Sequence, residues 1–137
     1  MGKWKLDYGV MSQDASVGKH DETWYPKPVS PAQISWDQSE PYATDFGDIY
    51  FSRSGGLEET KHVFLTGNNL PDAWDSKAQF TIAELGFGTG LNFLATWSLW
   101  LQSPSRKRLS YLSFEQHPLT KEQLLRVYQN FPELSPL

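Results

Sequence analysis

The sequence predicts an α/β fold, and three segments carry the prediction. Phe80-Thr81-Ile82-Ala83-Glu84-Leu85 is an apolar run of strand length that stops at Gly86, Leu91 to Leu101 reads as a helix, and Leu109 to Phe114 is a second β-type run. Strand, glycine turn, helix, strand is the order of a crossover unit whose two strands lie side by side and parallel.

Taken from the start, residues 1–35 read as an irregular, polar, Pro-rich arm, because Pro26, Pro28 and Pro31 interrupt a stretch of Ser, Asp, Gln and Lys without helical periodicity. Ile34-Ser35-Trp36 and Ile49-Tyr50-Phe51 have β-type composition with turn formers between them, so the two patches are expected to pair as an N-terminal β-hairpin. From Gly56, the acidic pair Glu58-Glu59 followed by Lys61 and His62 suits a short helix, which Gly67-Asn68 stops. Pro71 to Ala78 reads as a connecting loop. The helix after the glycine turn is apolar on nearly all sides, as a helix packed on a sheet is, with Trp97 and Trp100 as core. Pro104 to Arg108 is a basic, solvated turn. Thr120 with Gln123 has capping-box spacing, which starts a last helix expected to carry Leu124, Leu125 and Tyr128 inward before Pro132.

Composition narrows the function. The 137 residues are 39% apolar and 20% charged, which suits one globular domain rather than a disordered tail. No run approaches the roughly 18 apolar residues that span a bilayer, and the start has no secretory core, so a cytoplasmic protein is expected. The absence of cysteine excludes thiol nucleophiles and Cys-based zinc sites, and His20, His62 and His117 are too scattered for a ligand motif, so no metal is expected. A net charge of −4 means that any nucleic-acid role must come from a local site. Two parallel strands that are apolar on both sides expect further neighbours. The chain therefore reads as the N-terminal part of an α/β domain, either a fragment or a module completed by association, with fragment preferred.

The chemistry concentrates at Glu84-Leu85-Gly86-Phe87-Gly88-Thr89-Gly90, three glycines at alternating positions between strand and helix. Such a turn lets a ligand approach the backbone and aims the free N–H groups of the following helix at an anion or carboxylate. The dinucleotide fingerprint fails at its third glycine, where Leu91 stands, and no Gly-Lys-Ser/Thr completes a P-loop. Glu115 lies 25 residues beyond Gly90 at the end of the neighbouring strand, where a carboxylate can accept hydrogen bonds from ribose hydroxyls. Turn and carboxylate together read as a nucleoside site; the plainer alternative is a tight turn and a solvated strand end.

The segments Phe46 to Ser52, Gly56 to Thr60, Val63-Phe64-Leu65 with Gly67-Asn68, Glu84 to Phe93, and Ser113-Phe114-Glu115 with Pro118-Leu119 resemble the N-terminal methyltransferase domain of the MnmC family, the bifunctional enzymes of tRNA 5-methylaminomethyl-2-thiouridine biosynthesis. The resemblance covers residues 36–137. It implies the N-terminal part of a class I, Rossmann-like, S-adenosylmethionine-dependent methyltransferase that methylates the amine of 5-aminomethyluridine at the wobble position of tRNA. S-adenosyl-L-methionine is then the cofactor and tRNA the substrate. Residue by residue, it implies that Gly86, Phe87, Gly88, Thr89 and Gly90 hold the cofactor, that Glu84 orders the turn, that Asn92 lines the first helical turn, and that Glu115 with Gln116 meets the ribose. The segments from Tyr50 to Ser52 and from Glu58 to Asn68 would cap the pocket. Gln116 stands where the family often has Lys, and Ala43 where Ser is common. The family's Asp-Gly-Phe motif beside the acceptor amine and its FAD-dependent oxidase module have no counterpart before Leu137, so a separate oxidase or self-association is an expected partner. Two alternatives stay open: a nucleotide-binding oxidoreductase domain, and a non-catalytic, truncated cofactor-binding module.

Overall fold

The computed structural model describes residues 29–38, 40–51, 55–103 and 108–134. The arm up to residue 28, Ser52 and the basic run at Arg106 and Lys107 lie outside the described residues. The chain enters through Ala32, whose N–H donates to the Pro118 carbonyl at 3.1 Å. It then forms a three-stranded antiparallel meander, β1 (Ile34–Asp37), β2 (Glu40–Ala43) and β3 (Asp48–Ile49).

The meander corrects the expected hairpin. Trp36 faces Pro41 rather than the Ile49 patch, and Ile49 pairs with Tyr42. The segment taken for turn formers is itself the central strand. Pro41 has no N–H to give, yet its carbonyl accepts from Tyr50 at 3.2 Å, so it contributes from its acceptor side alone.

After the meander, α1 (Gly56–Glu59) continues through a π-helical stretch, Thr60–Leu65, and a 3-10 turn, Thr66–Asn68. Asn69 ends it in the left-handed region, one residue past the stop expected at Gly67-Asn68. The segment expected as a connecting loop contains a single helical turn, α2 (Asp72–Asp75), whose Trp74 is buried and meets Phe80 edge-on, the ring centroids 6.4 Å apart.

The crossover unit forms as expected. β4 (Gln79–Leu85) leads through the glycine turn into α3 (Leu91–Gln102) and back to β5 (Arg108–Phe114), and the strands pair in parallel from Gln79 opposite Arg108 to Leu85 opposite Phe114. α4 (Lys121–Tyr128) begins at a complete capping box: the Thr120 side chain accepts from the Gln123 N–H, and the Gln123 side chain accepts from the Thr120 N–H at 2.7 Å. One hydrophobic core gathers Leu57, Leu65, Trp74, Ile82, Leu91, Ala95, Leu109, Val127 and Phe131, with Trp100 packed against it. Arg126 ties α4 to the meander, its guanidinium 3.9 Å over the Trp36 ring and its Nη2 donating to the Gln38 carbonyl.

α4 also corrects one inward residue. Leu125 is 56% exposed, whereas Val127 is fully buried. Leu125 lies two positions from Val127, about 200° around the helix at about 100° per residue, and so faces away from it. The same helix therefore tests the packing. Val127→Ala is expected to cost about 2 kcal/mol through lost contact and a residual cavity, while Leu125→Ala changes stability by less than about 0.5 kcal/mol. Urea unfolding of the two variants checks this, and equal costs would contradict the packing described.

Candidate functional site

The site is built where β4 and β5 end. Parallel pairing in full register brings both strands to their carboxyl ends together, and the Gly86 N–H extends the pairing by donating to the Phe114 carbonyl at 2.8 Å. The glycine turn then leaves the sheet with positive φ at Gly86, Gly88 and Gly90 (87°, 53° and 71°), a path other residues seldom take.

The three glycines face different surroundings. A Cβ at Gly90 would lie 2.5 Å from the Phe87 ring, so this glycine admits the chain's own aromatic side chain. A Cβ at Gly88 would sit 3.6 Å from the Tyr50 ring. At Gly86 nothing lies within 4 Å, and this is the glycine that leaves the backbone open to a ligand. Thr89 is buried, and its carbonyl accepts from the Tyr128 hydroxyl at 3.0 Å, so α4 holds the turn from behind.

Two carboxylates clamp this turn. Glu84 is buried at the end of β4, where its Oε1 accepts from Asn92 Nδ2 and its Oε2 from Ser113 Oγ, both at 2.8 Å. Glu115 lies just past β5, its Oε2 accepting from the Gly88 N–H at 2.9 Å and its Oε1 from the His117 N–H at 2.8 Å. Each oxygen of Glu115 keeps a second lone pair for another donor. No side chain caps the N-terminus of α3, so its first-turn N–H groups are left without a side-chain acceptor from Gly90.

Two cavities flank the turn. The larger, about 660 Å³, is lined by Phe46, Asp48, Tyr50, Gly86, Glu115 and His117 among others. The smaller, about 250 Å³, lies over the start of α3, lined by Glu59, Thr60, Phe64, Leu91 and Asn92. Tyr50 lines both and stands between them. Burial, and then the charge of Glu115, raise the pKa of its hydroxyl.

Known proteins share much of this sequence. Over 112 residues, 80% of the chain, it is 46% identical to the tRNA 5-methylaminomethyl-2-thiouridine biosynthesis bifunctional protein MnmC of Aromatoleum aromaticum, covering 18% of that protein. The protein of the same name from Methylobacillus flagellatus is 49% identical over 110 residues, 78% of the chain and 17% of the relative. The chain is homologous to one part of the MnmC bifunctional proteins. It spans less than a fifth of the length of these relatives. The crystal structure of MnmC2 from Aquifex aeolicus superposes with a TM-score of 0.55 at 20% identity, over 75% of this chain and 38% of that one, a likeness of fold. No protein-family model matches the chain.

Within the chain, the structure brings together most of the residues singled out from sequence. Gly86, Glu115, Gln116 and Tyr50 line the larger cavity, Thr89, Asn92 and Tyr50 the smaller, and Glu84, Phe87, Gly88 and Gly90 build the turn between them. Glu58 and Asn68 lie apart. Glu58 is exposed and paired with Lys61 at 2.7 Å, Asn68 donates to the Phe64 carbonyl, and neither lines the two cavities, where Glu59 stands instead. Sequence reasoning passed over Ser113 and Tyr128 as site supports. Ser113 was legible in principle, because parallel register sets it opposite Glu84. Among the described residues no cluster of three or more His, Asp or Glu can hold a metal ion.

Two predictions follow from this geometry. Glu84→Ala strips the acceptor from both Asn92 and Ser113 and is expected to cost roughly 2–4 kcal/mol, since each polar group left unsatisfied near the core costs about 1–3. Glu84→Gln keeps an oxygen for Asn92 and can donate to Ser113, so it should lose less than half as much in denaturant unfolding. Equal losses would mean that the bonds themselves matter little. The second concerns alkaline pH. Tyr50 and Tyr111 both have pKa values raised from the ordinary 10.0, Tyr111 by burial and then by the charge of Glu84. The folded state therefore holds these protons more tightly than the unfolded chain. The stability they contribute is complete below about pH 10 and is lost as pH rises through the folded values. Melting temperatures between pH 8 and 11.5 should fall above pH 10, and fall less steeply in a Tyr50→Phe, Tyr111→Phe double variant.

Proposed function

We propose that residues 36–137 carry the S-adenosylmethionine-holding part of a class I methyltransferase that acts in tRNA wobble-uridine modification. The observation that carries this reading is the Glu115 carboxylate bonded to the Gly88 N–H, which sets a ribose acceptor beside an open glycine turn and an uncapped helix N-terminus. The residues present fit the cofactor. Gly86 would admit it to the backbone, Glu115 would accept from ribose hydroxyls through its remaining lone pairs, and the first-turn N–H groups of α3 would hold the carboxylate of the methionine part. Glu84 and Asn92 keep that turn in place, Gln116 lies at the rim of the larger cavity, and Tyr50 separates the two lobes.

S-adenosylmethionine supplies an electrophilic methyl group on a sulfonium, and in this reading the acceptor is the amine of 5-aminomethyluridine in tRNA. That amine reacts only when neutral, so the surroundings of the cofactor serve by positioning and by excluding water. The relatives' name, that of a bifunctional enzyme of tRNA 5-methylaminomethyl-2-thiouridine biosynthesis, supports the substrate assignment. An FAD-dependent oxidase module that acts on the same nucleoside is the proposed partner.

A nucleotide-dependent oxidoreductase is the competing reading, and Leu91 argues against it. A dinucleotide turn needs a glycine there for close packing of helix on strand, and Leu91 is instead buried in the core. Titration calorimetry of the chain with S-adenosylmethionine, and with NADH as control, decides between them. Saturable binding of S-adenosylmethionine is expected, reduced at least tenfold in both Gly88→Val and Glu115→Ala when circular dichroism shows each variant folded. Gly88→Val forces a β-branched residue to positive φ and into contact with Tyr50. Preference for NADH, or no binding by the folded chain, would overturn the reading.

A further inference from the structure

The larger cavity has an aromatic wall that core packing does not require. Phe46 sits in the β2–β3 turn, 66% exposed, and Phe114 and Ile49 are also exposed at the same cavity. An exposed phenylalanine on a turn buries little apolar area in the free protein, and its place at a concave surface is what stands out. Its ring meets that of His117 with centroids 5.4 Å apart at 59°. His117 is anchored twice, by Ser30 Oγ 3.3 Å from its Nδ1 and by its own N–H donating to Glu115. Phe46 is anchored by the turn, in which its N–H and that of Gly47 both donate to the Ala43 carbonyl.

A stacking surface and a carboxylate at one cavity match the two halves of a nucleoside. A heteroaromatic base covers an aromatic face, and the vicinal hydroxyls of the attached ribose reach a carboxylate. The cavity, at about 660 Å³, is within the range of small-ligand sites. From this placement we infer that Phe46, presented by the meander and braced by His117, is the base-stacking residue of the site, and that the meander thereby sets affinity for the adenine of the cofactor. The inference rests on the cofactor reading above and adds to it a residue from outside the crossover unit.

Calorimetric titration of the chain and its Phe46→Ala, Phe46→Trp and Glu115→Ala variants with adenosine and with S-adenosylmethionine tests it. Stacking on an aromatic side chain contributes about 1–3 kcal/mol per base, so Phe46→Ala should weaken both ligands about tenfold or more while Phe46→Trp stays within about threefold of the parent. The His117 ring protons should also shift on adenosine binding in proton NMR, because a stacked base lies within its ring current. If Glu115→Ala abolishes binding while Phe46→Ala changes it less than twofold, the stacking inference falls and the cofactor reading stands. If the parent chain binds neither ligand, both fall.

Discussion

The Glu84 carboxylate sits below the surface at the end of β4, and its bonds to Asn92 and Ser113 determine how the other parts of the site meet. An acidic group taken out of water is unfavourable unless donors replace the lost hydration. Here one donor comes from α3 and the other from β5, so satisfying this side chain ties strand, helix and neighbouring strand at one point. The bond to Asn92, eight positions on, also closes a loop around the glycine turn, which limits the paths open to Gly86, Gly88 and Gly90. Glu115 then grips the same turn from the far side through the Gly88 N–H, and Tyr128 holds it from behind through Thr89. A turn rich in glycine, flexible by composition, becomes a fixed surface because Glu115 and Tyr128 hold its backbone and the Glu84–Asn92 bond ties its two ends together.

The charge arrangement has a chemical consequence. Two acidic side chains flank the turn, and each has a tyrosine nearby whose pKa is raised by burial first and then by that carboxylate's charge, Tyr50 beside Glu115 and Tyr111 beside Glu84. A pyrophosphate brought to the same turn would meet that negative field, whereas a ligand with a cationic centre gains from it. The helix N-terminus offers partial positive charge only over its first turn, enough for one carboxylate. Under the proposed reading, a sulfonium-bearing cofactor suits that field better than a dinucleotide does, and Leu91 occupies the position of a dinucleotide turn's third glycine.

Much of this was legible in the sequence, and the parts that were not share a cause. The crossover unit, the capping box at Thr120 and the pairing of glycine turn with Glu115 were readable because each is a local pattern with a fixed offset. The meander was misread as a hairpin because β2 contains Pro41 and is only four residues long, so its strand character comes from its neighbours rather than from its composition. Leu125 was assigned inward by residue type although its angular position on α4 faces away from the buried Val127. The aromatic wall of Phe46 and His117 depends on the contact of two loops 71 positions apart, which no spacing in the chain encodes. Glu58 and Asn68 came to the pocket only through their place in a shared motif; lining the smaller cavity from this segment are Glu59 at the end of α1 and Thr60, Val63 and Phe64 of the π-helical stretch.

The two faces of the β4–β5 pair differ, and the difference bears on how the site keeps its shape. Phe80, Ile82 and Glu84 on β4, with Leu109, Tyr111 and Ser113 on β5, alternate onto the face that α3 covers, where Tyr111 meets Phe93 edge-on at 5.2 Å. Leu85, Leu112 and Phe114 alternate onto the other face and are exposed, Leu85 at 90%. Side chains successive along a strand point to opposite faces, so the bonds that organise the turn all belong to the covered side. The clamp of Glu84, Asn92 and Ser113 therefore does not depend on what lies against Leu85 and Leu112. Phe114 is the exception, since it is exposed on the open face and also lines the larger cavity.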